Sequence, residues 1–269
     1  VCEISGRFMI GQSSKAIIRD MQEDNSAVPV AFLDMPVFIS DAKSFSNLMI
    51  IGDSMQGFTF VGFDAEPYRM IVLGKSTSNF QVMNVEFLVN NGNVNFIVTD
   101  RQNNLHVLRY APDEPNSLSG QRLVHCNTFN LFSTNNFMKL IRKHNEFNAK
   151  LLNYIAVGCQ SDGSMFRLIP LNESSYRRFY LVEQHILEHE VPLAGFNPKM
   201  ERLDNEYYHK GHALRPTLDS QVLKKYTQIP IDKRMNIETR VGRHASTELW
   251  HDLLDIEYSL RSLTTPQHE

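Results

Sequence analysis

The sequence has little cysteine, a single tryptophan, no long apolar run and no strong excess of either charge. Each scarcity removes a class of protein. The three cysteines, Cys2, Cys126 and Cys159, lie far apart and form neither a CxxC pair nor a disulfide framework. Thiols this sparse fit a reducing compartment. No apolar stretch approaches the roughly 20 residues that cross a bilayer, so no membrane span is expected. Basic and acidic residues number 27 and 30, a net charge of −3. A dedicated nucleic-acid binder would be clearly positive. No GxGxxG, P-loop or EF-hand pattern is present. What is there is ordinary globular material: 269 residues, 42% hydrophobic and 21% charged, enough for one large domain or two modest ones and too apolar for disorder. The chain opens on Val1 rather than an initiator Met and shows no signal peptide, so it reads as a piece of a longer polypeptide.

Charge does not divide the chain. Residues 1–174 hold 14 basic and 16 acidic residues, and 175–269 hold 13 and 14. Hydrophobic periodicity does divide it. Through Ile169 the apolar residues alternate with a period of two, the mark of strands. Val85, Phe87 and Val89 alternate with Glu86 and Asn90, and Val94, Phe96 and Val98 alternate with Asn93 and Asn95. Tyr68, Met70 and Val72 share a face, as do Leu105 and Val107. Turn clusters such as Asn90–Asn93 and Asp100–Asn104 separate the runs.

The strand pairs repeat. Asp53–Pro67, Asp100–Pro115 and Asp162–Pro170 share one plan, in which a strand enters, Asp turns and an apolar strand leaves. A weaker copy turns at Gly11–Ser14. From Gln12 the intervals are 41, 47 and 62 residues. The first two suit the roughly 40–50 residues of a four-stranded propeller blade. The third implies an insertion, placed around Lys143–Lys150. A propeller-type repeat is favoured over an aperiodic β-sandwich.

After Glu173 the period becomes helical. Tyr176, Phe179, Val182 and Ile186 form one stripe. Asp219 is expected to cap a helix bearing Val222, Leu223 and Tyr226, and Asp232 one ending at Gly242. Ser246 or Thr247 is expected to cap the last, whose stripe is Leu249, Leu253, Ile256 and Leu260. The expected class is therefore mainly β followed by α, divided as 1–174 and 175–269.

Chemistry is sparse. His185-Ile-Leu-Glu-His189 spells HxxEH, the order that inverzincin metalloproteases use on a helix. No third ligand is marked out, so a solvated helix face is expected and no metal. Tyr208-His-Lys-Gly-His212 is read the same way, as a helix end. Gly52-Asp-Ser-Met-Gln-Gly57 has one residue too many between Ser and Gly for a nucleophile elbow. Residues 220–244 carry Lys224, Lys225, Lys233, Arg234, Arg240 and Arg243 against Asp232 and Glu238. That patch could hold phosphates or a partner, or be a solvated face. Lys139, Arg142 and Lys143 form a smaller cluster of the same kind. Trp250, beside the last apolar stripe, suits either core packing or a partner anchor. No catalytic residue, cofactor site or metal ligand is assigned.

Four strings carry a resemblance. Gly52-Asp-Ser-Met-Gln-Gly-Phe-Thr-Phe-Val-Gly-Phe-Asp-Ala-Glu-Pro-Tyr-Arg-Met70 is the first. Tyr110-Ala-Pro-Asp-Glu-Pro-Asn-Ser-Leu-Ser-Gly-Gln-Arg-Leu123, Ser175-Tyr-Arg-Arg178 and Gly195-Phe-Asn-Pro-Lys-Met-Glu-Arg-Leu203 are the others. They resemble the family of the largest subunit of the cleavage and polyadenylation specificity factor, in its fungal form. A splicing-factor subunit and a damaged-DNA-binding adaptor share that wider family. The resemblance runs from about Pro36 to Leu263. It implies the closing blades of a seven-bladed β-propeller followed by a C-terminal helical domain, within a nuclear, non-catalytic scaffold for pre-mRNA 3′-end processing. The implied partners are a WD-repeat subunit and a zinc-finger subunit that read the polyadenylation signal, together with the rest of the same polypeptide. RNA contact would then be indirect, with neither membrane nor cofactor. The alternative readings are a direct RNA-binding module using the 220–244 patch, or the splicing-factor or damaged-DNA-binding relative of the same fold.

Overall fold

The computed structural model describes residues 1–90, 93–143, 153–189, 217–242 and 245–261. They form two compact units, the strands up to Ile169 and the helices from Pro170 onward. The first unit is mainly β, with a propeller-like arrangement of four blades. The first blade comprises β1 (Cys2–Ile4), β2 (Arg7–Gln12), β3 (Lys15–Met21) and β4 (Ala27–Asp34). The second comprises β5 (Ile39–Phe45), β6 (Leu48–Asp53), β7 (Phe58–Ala65) and β8 (Tyr68–Lys75). The third comprises β9 (Val82–Asn90), β10 (Asn93–Asp100), β11 (Asn104–Arg109) and β12 (Val124–Asn130). The fourth comprises β13 (Asn135–Lys143), β14 (Asn153–Gln160) and β15 (Met165–Leu168). Each is an antiparallel meander in sequence order. The leading strands converge: β5 packs beside β1 and β9, and β9 beside β13.

Inner blades bury both faces, so their central strands carry consecutive apolar residues whose side chains face opposite neighbours in turn. On β6, Met49 and Ile51 pack with Ile4, Met9 and Ile18 of the first blade. Ile50, between them, points the other way, into a cluster with Phe87, Phe96 and Val98 of the third. That cluster is rich in aromatic edges, with the Phe60 and Phe96 rings 4.8 Å apart. Leu88, Ile97 and Leu105 face Met138 and Ala156 of the fourth blade. At about 2–3 kcal/mol for each large apolar side chain buried, these inter-blade layers are the main source of cohesion.

The repeat copies fall on the turns between the second and third strands of each blade. Ser40, Met83 and Asn136 each form a bulge one residue into the leading strand of the second, third and fourth blades. The register beyond those bulges corrects one alignment. Asp53 pairs with Ile39, Asp100 with Val82, and Gln160 with Asn135. Gln160, not Asp162, therefore holds the place of the first two aspartates. Asp162 lies two residues on, in the turn itself, where its carboxylate accepts the Ser164 N–H at 2.9 Å. The long third interval also has a second source. Most of the expected insertion, 144–150, lies outside the described residues, but Tyr110–Leu123 forms an extended connection between β11 and β12. The corresponding link between β7 and β8 is only Glu66-Pro67.

In the second unit, α1 (Glu173–His189), α2 (Ser220–Lys225), α3 (Ile231–Val241) and α4 (Ala245–Arg261) surround Phe179, Val182, Ile186, Tyr226, Ile237 and Leu249. Asp219 caps α2 by accepting the Gln221 N–H at 2.8 Å. Tyr226 lies just past α2, in a single 3₁₀ turn. Two caps differ from expectation. The residue before α3 is Pro230, so Asp232 lies inside the first turn, where its charge still favours the helix N-terminus. Thr247 likewise lies inside α4. Gly242 closes α3, its N–H bonding Glu238 C=O. Leu253 and Ile256 pack at the edge of the core, while the Leu260 side chain falls outside the described residues.

Candidate functional site

One end of the β unit is laced together by backbone. The connection between the first two blades bonds backward through Met35 N–H to Ser14 C=O (2.6 Å) and forward through Ser54 N–H to Phe38 C=O (2.9 Å). The next connection receives Gly57 N–H at Phe80 C=O (3.0 Å) and Arg101 N–H at Gln81 C=O (3.0 Å). In the last, Leu131 N–H donates to Asn103 C=O (2.7 Å) and Ser161 N–H to Thr134 C=O (2.9 Å). Every connection between blades is thus bonded to the turn before it and the turn after it. Side chains reinforce the belt. Asp53, itself buried, accepts the N–H groups of Val37, Met55 and Gln56. Gln160 Nε2 donates to Leu131 C=O at 3.0 Å.

This rigid end presents apolar side chains to solvent. Phe38 is 52% exposed, Met55 52% and Phe132 56%, with Val37 beside them. Phe132 has a left-handed backbone, φ 66°, held by Asn130 and Asn103, which bond its N–H and C=O. A bulky residue in that region is uncommon, and such strain concentrates at functional positions. Across the turns 54–57, 101–103 and 161–164 and the connections 35–38, 76–81 and 131–134, the charged residues are Arg101 and Asp162. Depletion of charge with enrichment in Phe and Met is the composition of the centre of a protein–protein interface. The opposite end is acidic by contrast, with Glu23, Asp24, Glu66 and Asp113 exposed in its turns and loops.

A polar chain that sequence reading missed lies inside the third blade. His106 Nε2 is 3.1 Å from Asp100 Oδ2, and His106 Nδ1 is 3.1 Å from Thr128 Oγ1. Phe80 stacks on the imidazole at 4.5 Å. Burial alone would raise the Asp100 carboxyl, but bonds from His106 and Asn104 outweigh it and hold it below the usual carboxylate range. Asp–His–Thr connectivity is that of a hydrolase relay. Here His106 is 1% exposed and Thr128 3%, so the hydroxyl meets no substrate, and the chain serves to satisfy buried polar groups. The signal was the spacing Asp100–His106, hidden because Thr128 arrives only through strand pairing.

The leading strands carry two carboxylates between blades. Asp41 Oδ2 accepts the Val85 N–H at 3.1 Å. Glu86, nearly buried, accepts the Phe87 N–H at 3.0 Å and also the N–H of Leu140 on β13. Burial pushes the Glu86 carboxyl up, against the lowering effect of those amides and Lys43.

In the helical unit the basic residues have separate surroundings. Lys224 and Lys225 occupy the last turn of α2, and these two with Lys233 and Arg240 are exposed. Arg234 is half-buried, with its Nε bonded to Ile229 C=O at 2.8 Å and its guanidinium 5.8 Å from the Trp250 ring centroid. Arg243 lies outside the described residues. Trp250 packs against the helical core and sits 6.0 Å from the Tyr226 ring. On β13 Lys139 is exposed, while the side chains of Arg142 and Lys143 lie outside the described residues. His185 receives Arg240 Nη1–H at Nδ1, 3.4 Å away, and Glu188 is exposed. The His189 side chain and the Tyr208–His212 segment lie outside the described residues. Among the described residues, no three His, Cys, Asp or Glu side chains converge on a common point.

Residues 1–228 match the family described as CPSF A subunit region. The chain is 85% identical over 264 residues to Protein CFT1 of Kluyveromyces lactis, covering 98% of this chain and 20% of that protein. It is 57% identical to Protein CFT1 of Saccharomyces cerevisiae, over 98% of this chain and 20% of the relative. Against Protein cft1 of Schizosaccharomyces pombe it is 30% identical, over 97% and 18%. The chain therefore spans about a fifth of the length of these relatives. With the family match extending over both the strands and the start of the helices, the chain belongs to the CPSF A subunit family.

Proposed function

We propose that this chain is part of a non-catalytic scaffold in nuclear pre-mRNA cleavage and polyadenylation. On this reading residues 1–174 are the closing blades of a seven-bladed propeller and 175–269 a C-terminal helical domain. The partners held are the WD-repeat and zinc-finger subunits that read the polyadenylation signal. The observation that carries the reading is the charge-poor end formed by Phe38, Met55 and Phe132. It is rigid, because each connection is bonded on both sides, and apolar, which suits protein rather than phosphate.

The test is the double substitution Phe38→Glu/Met55→Glu in the complete polypeptide, followed by co-purification from cells. Both side chains are about half exposed, so folding should survive. At a central hot spot, losses of ≥2 kcal/mol correspond to roughly thirtyfold weaker binding. Retention of both partner subunits at the original level would remove the basis for this reading. Loss of RNA with both subunits retained would favour direct nucleic-acid contact instead.

A further inference from the structure

β8 is the outermost strand of the second blade, and the chain itself uses its outer side at one place. Lys75 N–H donates to Gln121 C=O at 2.9 Å, and Lys75 C=O accepts the Leu123 N–H at 3.0 Å. These bonds seat Arg122, at the end of the Tyr110–Leu123 connection, as a parallel bridge beside Lys75. The approach is close, since a Cβ on Gly74 would meet the Gly120 carbonyl oxygen at 2.6 Å. The edge continues past this seat. Phe63, opposite Met70, gives its N–H to Asn47 on the β6 side, so Met70 turns its own N–H and C=O outward. Val72 does the same two residues on, in step with Lys75 across the bulge at Leu73. Among the described residues, the main-chain bonds on this side of β8 are those at Lys75.

Native edges are blunted by proline or charge, as Pro29 does on β4. Between Arg69 and Lys75, β8 instead reads Met70-Ile71-Val72-Leu73-Gly74, with Ile71 36% and Val72 40% exposed. At the bridge, Lys75 and Arg122 are both exposed and in no ion pair among the described residues. Like charges side by side on neighbouring strands repel, so the apolar edge ends at an uncompensated pair of cations.

We propose that the outer edge of β8 receives an extended segment of a partner protein, apolar at its centre and carrying a carboxylate that meets Lys75 and Arg122. The main-chain groups of Met70 and Val72 hold the segment, and Ile71 and Val72 cover its apolar side chains. Outward amides and carbonyls at strand spacing favour a polypeptide over a nucleic acid, which has no matching row of donors and acceptors. The cation pair favours an acidic segment over a basic one. Phe38, Met55 and Phe132 take no part, and the proposal is independent of whether these blades close a ring.

The experiment compares the complete polypeptide alone with the same polypeptide in its native complex. Amide exchange is read at Met70 and Val72, and a photo-crosslinking residue at Ile71 captures what lies on the edge. The proposal predicts exchange at both amides at least about tenfold slower in the complex. It predicts capture of another polypeptide, at a segment with Asp or Glu among apolar residues. Lys75→Glu/Arg122→Glu should reduce that capture at least about tenfold, and Lys75→Gln/Arg122→Gln should reduce it less. The bridge is made by main chain, so exchange at the Leu123 amide reports whether each variant keeps it. Where the glutamates disturb that bond, the glutamine pair decides. Equal exchange in the two states, or capture of RNA or of this polypeptide itself, would overturn the proposal. So would capture of a segment without a carboxylate, or capture that the glutamine pair leaves unchanged.

Discussion

The Asp41 carboxylate accepts the backbone N–H of Val85, 3.1 Å away on the leading strand of the next blade. Leading strands of neighbouring blades do not pair with each other, so a side chain must satisfy the amide that faces across. Glu86 does the same for Leu140 one blade further on. Asp41→Ala leaves the Val85 N–H without its acceptor and should cost about 1–3 kcal/mol. Asp41→Asn keeps one oxygen and should cost less. Exchange at the Val85 amide in the complete polypeptide reads this directly, and an unchanged rate in the alanine variant would show that the bond contributes nothing.

Two carboxyls should respond to pH with opposite sign. The Glu86 carboxyl is raised above its ordinary 4.5, so its contribution to stability is complete below that value and is lost as pH rises through the raised one. Asp100 is lowered below its ordinary 3.8, so its contribution is complete above that value and is lost as pH falls through the lowered one. Glu86→Gln should therefore flatten the dependence on the higher side, and Asp100→Asn on the lower. Exchange of third-blade amides across acid pH distinguishes them. The same slope change from both variants would contradict these assignments.

Trp250 packs on the edge of the helical core, with Tyr226 beside it and Arg234 near its ring. Trp250→Ala should cost about 3 kcal/mol, the lower end for a large aromatic because the indole is only partly buried. Arg234→Ala should cost less, about 1 kcal/mol, since it loses the ring contact and one carbonyl bond. Thermal unfolding of the helical unit within the complete polypeptide, with pull-downs of each partner, checks both. Unchanged stability of the tryptophan variant with selective loss of one partner would make Trp250 an interface anchor instead.

The sequence made the blades legible as short apolar runs between turn clusters, and on an inner blade buried on both faces the run is continuous, as Met49, Ile50 and Ile51 show on β6. The turn residues were equally visible, since Asp53 and Asp100 bond the backbone around them. Gln160 was missed because an amide does the aspartate's work with reversed polarity, donating to a carbonyl where Asp53 accepts from an amide. The apolar end was not legible either. Phe38, Met55 and Phe132 are far apart in sequence, and only the stacking of blades brings their loops to one side. The basic run 220–244 looked continuous in sequence, yet helix geometry turns Arg234 toward Trp250 and leaves Lys233 in solvent.

The central claim is that these strands are the closing part of a ring completed by the rest of the polypeptide. Its plainest symptom is the exposure of Phe32 on the first blade and of Phe137 and Met165 on the fourth, at 70%, 51% and 64%. The most direct measurement is light scattering, with thermal unfolding, on residues 1–269 alone beside the complete polypeptide. The account predicts that the isolated chain self-associates through those faces while the complete polypeptide stays monodisperse. A monodisperse, cooperatively unfolding monomer of the 269 residues alone would contradict it.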